Sequence, residues 1–182
     1  MPTLLQPIPT YASKAEIQDF AEELAGEFWP DRQESLVDVV RRIGGDVKIS
    51  YEITPRRERE SIVVEPNDRF LITIPVYTSA RRDSFTISHE LGHFFLHWPL
   101  VKANFAAGNE CRQGMAAARW VDKENQTLMQ SEREANWFAA GFLFPKQLFC
   151  GMWRKTPDVE YLAMWFEASK PAVEARIREL GI

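Results

Sequence analysis

The stretch Ser88-His89-Glu90-Leu91-Gly92-His93-Phe94-Phe95-Leu96-His97 contains all three histidines of the chain. Its first half has the form H-E-x-x-H within a segment of helical character. Residues four apart on a helix stand one above the other, about 6 Å apart in rise. Imidazoles at His89 and His93 can therefore converge on one Zn²⁺ at ~2.0–2.1 Å. Glu90 is rotated by about 100° from His89, which places it beside such an ion rather than on it. That is the position of a carboxylate general base acting on water. The pattern also arises by chance on ordinary amphipathic helices. Against chance stand the concentration of histidine here and the apolar run Phe94-Phe95-Leu96, which marks a mostly buried helix. Buried His and Glu need partners.

A catalytic zinc ion takes a third protein ligand and keeps one position open. His97 lies eight residues beyond His89, about 12 Å along an unbroken helix. It reads as a packing or hydrogen-bonding neighbour of the site. The better third ligand is Glu132, in Glu132-Arg133-Glu134-Ala135-Asn136. On a helical wheel Glu132 borders the buried stripe of Ala135, Phe138, Ala139, Phe142 and Leu143. Asn136 shares its face and is placed to hold a ligand imidazole or the carboxylate. Glu134 projects away from the stripe and is expected to be exposed. The plain alternative for Glu132 is a polar residue on the flank of the helix. Glu110, Cys111, Asp122 and Glu124 occupy a patternless segment, and nothing in their spacing favours them.

Working outward, the order of elements is helices, a small antiparallel sheet, then helices. That is an α+β chain, read as one unit over 1–182. Residues 1–12 form an extended lead-in, because Pro2, Pro7 and Pro9 oppose helix. Ser13 and Glu16 have capping-box spacing ahead of a helix to about Phe28. A second helix buries Leu36, Val39, Val40 and Ile43 and stops at Gly44-Gly45. Val47, Ile49, Tyr51 and Ile53 then alternate with polar residues, as in a half-buried strand. Residues 62–65 and 70–75 flank Pro66-Asn67-Asp68 and read as a hairpin. Asp83 or Ser84 caps the helix of the motif, which Pro99 is expected to end. Residues 100–128 show little pattern beyond a short helix near 115–120. A helix from Ser131 ends at Pro145. Residues 156–182 read as a helical hairpin, opened by Pro157, capped again at Ser169 and stopped by Gly181.

Composition narrows the function classes. The chain has 182 residues, 45% hydrophobic and 26% charged, with a net charge of −4. That balance suits a globular domain with a substantial core and weighs against a dedicated nucleic-acid binder, which needs a basic surface. The closing hairpin has the spacing of a helix-turn-helix, but its charges are mixed, whereas a recognition helix is basic. Two cysteines, Cys111 and Cys150, make no CxxC pair, consistent with a reducing compartment. No apolar run approaches the ~20 residues of a membrane span. The first residues lack the pattern of a signal peptide. A cytoplasmic protein is expected.

Together, the 88–97 stretch and the later Glu132-Arg133-Glu134-Ala135-Asn136-Trp137-Phe138-Ala139-Ala140-Gly141-Phe142-Leu143-Phe144-Pro145 resemble the ImmA/IrrE family of metallopeptidases. The likeness covers roughly residues 15–182. It implies a zincin-like core of gluzincin type, with Zn²⁺ on His89, His93 and Glu132 and Glu90 as general base. It implies an endopeptidase whose substrate is a protein, a helix-turn-helix repressor or an antitoxin, in regulation or a stress response. The rival is a metal-bearing regulator or toxin component that acts by binding alone. Asn136, His97 and Tyr77 are candidates for supporting or substrate-site roles. The 70–77 strand is the candidate edge for an extended substrate. Members often carry Arg directly before the Phe-Thr that leads into the motif; here Ser84 stands there.

Overall fold

A computed structural model of the chain describes residues 4–51, 60–76, 80–105, 113–118, 122 and 124–182. Helix α1 (Lys14–Phe28) opens with the expected capping box: Ser13 and Glu16 exchange side-chain and backbone hydrogen bonds. Helix α2 (Leu36–Arg42) is capped by Ser35 and buries Leu36, Val39 and Val40. Gly44, at φ 95°, turns the chain into the sheet.

The four described strands are β1 (Gly45–Ser50), β2 (Glu60–Val64), β3 (Phe70–Pro75) and β4 (Met115–Ala118), in the order β1-β3-β2-β4. The β2–β3 hairpin forms as expected, with Ile62 opposite Ile72. Its turn is closed by the Asp68 N–H on the Glu65 carbonyl, with Asp68 at φ 67°. The sheet is mixed rather than antiparallel throughout, because β1 pairs parallel to β3. As a result β3 is an interior strand and not the free edge expected of residues 70–77. The edges are β1 and β4. On β1 the alternation buries less than its pattern suggests: Ile49 and Tyr51 are exposed. Residues 52–59, including Ile53, lie outside the described residues.

Two expectations around the sheet fail for tertiary reasons. Residues 115–118 are a strand, not a helix: Met115, Ala116 and Ala117 pair with Val64, Val63 and Ile62. Alanine resists no backbone state strongly enough to decline an open sheet edge. The lead-in is also structured, since Leu5 donates its N–H to the Gly114 carbonyl and accepts from Ala116 N–H, each near 2.8–2.9 Å.

Helix α3 (Ala80–Gly92) begins before Asp83 and Ser84, and Pro99 does not end it. One wide turn of π type (His93–His97), closed by Trp98 N–H on the His93 carbonyl, leads into α4 (Trp98–Phe105). Directly after that turn, the missing N–H of Pro99 interrupts a register that has already changed. The aromatic residues of the turn lock it in place. Phe94 stacks on Phe70 of β3, and Phe95 lies between Phe28 of α1 and Phe138.

Helix α5 (Gln126–Leu143), capped by Asn125, is the central element, packed by α1 and α3. Two glycines allow the close approach. A Cβ on Gly92 would meet Ala135 Cα at 3.0 Å, and one on Gly141 would meet the Gln18 carbonyl oxygen at 2.8 Å. Helix α6 (Lys146–Lys155) follows Pro145 directly and has no counterpart in the sequence reading. Helix α7 (Val159–Trp165) is capped by Asp158 rather than opened by Pro157, and α8 (Lys170–Leu180) by Ser169, with Gly181 closing it at φ 67°. Phe144, Phe149 and Phe166 cluster at 5.4–5.6 Å between ring centres and seat α6 and α7 at the end of α5. Arg176 of α8 is buried, with its guanidinium on the Phe144 carbonyl and on Glu22 of α1.

Candidate metal centre

The close packing of α3 on α5 brings His89, His93 and Glu132 together. Their donor atoms form a tight triangle. The two Nε2 atoms lie 3.2 Å apart. His89 Nε2 is 3.3 Å from one oxygen of Glu132, and His93 Nε2 is 3.2 Å from the other. His93 is fully buried, His89 and Glu132 partly so. Three donors of this kind in one triangle form a group that can hold a metal ion.

The neighbours fit that role. His89 Nδ1–H donates to Asn136 Oδ1 at 3.1 Å, leaving the Nε2 lone pair directed at the triangle. His93 Nδ1 lies 3.0 Å from His97 Nδ1, on the side of the ring away from the triangle. His97 does not join the donors; its Nε2 donates to Glu134 Oε2 at 3.1 Å. Glu90 is buried near the triangle and accepts from Ser61 Oγ of β2 at 2.9 Å. Ser61 is also 3.2 Å from the Ala117 carbonyl, so β4 borders the general-base candidate.

The electrostatics match. Burial opposes charge on Glu132, but the imidazoles of His89 and His93 against it outweigh that and hold the carboxyl far below its usual range. Burial pushes His93 down to about 4, so its imidazole is neutral at pH 7. Burial alone would depress His89 as well, yet Glu132 and Glu90 raise it above its ordinary value.

Glu134 departs most from expectation. It is fully buried, not exposed. The helical wheel assumed one apolar stripe, whereas α5 is covered on a further side by the lead-in, whose Thr10 and Tyr11 bond this carboxylate. No sequence signal marks Thr10 or Ser61 as neighbours of the site. Tyr77, Glu110 and Cys111 lie outside the described residues. Asp122 and Glu124 are exposed, and Asp122 accepts from the Glu124 N–H.

The fold resembles that of a Mycobacterium tuberculosis transcriptional regulator of known structure. The TM-score is 0.54 at 19% identity, covering 87% of this chain and 45% of that one. At that identity the likeness is one of fold. This chain thus spans less than half the length of that protein. No curated protein matches the sequence. Among the described residues, no helix is long and apolar enough to cross a membrane. The family model for the IrrE N-terminal-like domain matches residues 50–178, a span that holds the whole donor triangle and Glu90. The His89–His93–Glu132 centre therefore sits in a metallopeptidase framework, and the chain belongs to the M78 peptidase family.

Proposed function

We propose that the chain is a zinc-dependent endopeptidase that hydrolyses a peptide bond in a protein partner inside the cell. The observation that carries this is the size of the donor triangle. A tetrahedral ion with bonds of ~2.0–2.1 Å has ligand atoms about 3.3 Å apart. Here the two Nε2 atoms lie 3.2 Å apart, and they lie 3.3 and 3.2 Å from the two separate oxygens of Glu132. Two imidazoles and one carboxylate are the ligands of catalytic zinc sites of this type. When bound there, zinc polarises the scissile carbonyl and lowers the pKa of a water to about 7.

The rest follows from the chain's own side chains. Asn136 holds His89 in the tautomer that leaves Nε2 free. Glu90, adjacent on α3 and steadied by Ser61 Oγ–H, takes the proton of the attacking water and returns it to the leaving amine. The preferred substrate class is a DNA-binding repressor or an antitoxin. Two points support it: the family resemblance, and the description of the solved structural relative as a transcriptional regulator.

Glu90→Gln tests the reading. The variant should bind zinc as the wild type does, and cleavage of an internally quenched peptide library should fall by ~10²–10⁴. Cleavage undiminished in Glu90→Gln would sink the mechanism. A biological effect retained by a non-cleaving, zinc-loaded variant would favour action by binding alone.

A further inference from the structure

Glu134 is a fully buried carboxylate outside the His89–His93–Glu132 group, and five hydrogen-bond donors converge on it. Oε2 accepts from Thr10 N–H at 2.8 Å, Thr10 Oγ1–H at 3.0 Å and His97 Nε2–H at 3.1 Å. Oε1 accepts from Tyr11 N–H at 2.8 Å and Gln130 Nε2 at 3.0 Å. The Thr10 hydroxyl in turn accepts from Ala12 N–H, which leaves its proton for Glu134. A carboxylate so surrounded is ionised and can only accept. It therefore dictates where the proton of its histidine neighbour sits.

We propose that Glu134 and His97, anchored by Thr10 and Tyr11 of the lead-in, are positioning residues that set the tautomer of the metal ligand His93. The logic runs from proton to proton. Glu134 requires hydrogen on His97 Nε2. Neutral His97 then offers Nδ1 as an acceptor. His93 Nδ1, 3.0 Å away, must carry the hydrogen of that contact. Its remaining lone pair is then on Nε2, the atom 3.2 Å from both His89 Nε2 and Glu132. Both histidines of the relay and Glu134 are shut off from solvent, so no water substitutes for a missing partner. His89 reaches the same tautomer by a shorter route, through Asn136 alone. The lead-in thus contributes to the metal centre from outside the motif helices. Partners of metal-binding histidines typically change metal affinity by roughly 10–100-fold when removed.

The inference rests on the metal-centre reading, and the test separates the two. Zinc affinity is measured by competition with a chromophoric chelator for wild type, Glu134→Gln, His97→Leu and His97→Gln, alongside thermal unfolding of each. Glu134→Gln and His97→Leu should bind zinc roughly 10–100-fold more weakly. His97→Gln, whose amide both donates and accepts, should recover most of the loss, which a purely packing role would not produce. Equal affinity in the Leu and Gln variants overturns the relay. So does unchanged affinity in Glu134→Gln. A long-range ¹H–¹⁵N spectrum of the zinc-loaded wild type needs no variant. It should show the proton of His97 on Nε2 and that of His93 on Nδ1; a proton on His97 Nδ1 overturns the proposal. A wild type without zinc affinity would instead sink the metal centre itself.

Discussion

Replacing Gly92 by Ala adds one methyl group where α3 crosses α5. Its Cβ would lie 3.0 Å from Ala135 Cα, 3.1 Å from Phe138 Cβ and 3.2 Å from the Ala135 carbonyl oxygen. Carbon atoms rest at about 3.5–4.0 Å, so the helices must part by roughly 0.5–1 Å. Backbone atoms form two of the three contacts, and no rotamer change relieves them. Overpacking of this kind costs about 1–3 kcal/mol. The better helix propensity of Ala returns about 1 kcal/mol. A net loss of up to about 2 kcal/mol remains in urea unfolding of the metal-free protein. The second effect is on the centre, because His89 and His93 ride on α3 and Glu132 on α5. Metal sites tolerate displacements of about 0.2 Å, so zinc affinity should fall by roughly tenfold or more. Gly26→Ala in α1 is the matched control: nothing lies within 4 Å of its added Cβ. It should stabilise by about 0.5–1 kcal/mol and leave zinc binding unchanged. A Gly92→Ala protein as stable as the wild type, with the same zinc affinity, would refute the claim that helix separation sets the donor triangle.

Three further outcomes are expected. Zinc at about 1,000 times its Kd should add about 4.1 kcal/mol and raise Tm by roughly 8–16 °C for a chain of this size, and EDTA should reverse it; calorimetry checks this. Arg176→Met should destabilise by about 2–4 kcal/mol in urea, because the Phe144 carbonyl and Glu22 lose a buried donor. Stability should also fall with acid through Glu134. Its folded pKa, about 2, lies below the ordinary 4.5: burial would raise it, but His97, Thr10 and Gln130 outweigh that. A depressed carboxyl contributes stability above pH 4.5 and loses it between 4.5 and 2. Urea midpoints of the wild type should therefore drop across that window more steeply than those of Glu134→Gln.

The parts legible in the sequence are those governed by local spacing. His89 and His93 meet because they are four apart on one helix, and Ser13 and Ser169 cap helices because their hydroxyls reach the first turn. Glu132 was legible because it borders the buried stripe of α5 and so aims a carboxylate at the next helix. Other features depend on partners distant in the chain. Glu134 is buried by Thr10 and Tyr11, 124 and 123 residues away. Residues 115–118 are extended because β2 offers them an edge, not because of their own preference. The parallel pairing of β1 with β3 leaves no mark on the alternation of either strand. Pro99 read as a stop because a sequence pattern does not reveal the wide turn before it.

The lead-in also bears on the order of folding. Leu5 closes on residues 114 and 116, and Thr10 and Tyr11 on Glu134. Residues 5–11 are synthesised long before their partners, and closing loops of more than 100 residues is entropically slow. The hairpin and the helices can form while this segment is still loose. The anchor of the metal centre therefore arrives late, after α5 has left the ribosome. Such a delay would leave His89, His93 and Glu132 without their final setting until the whole domain has assembled.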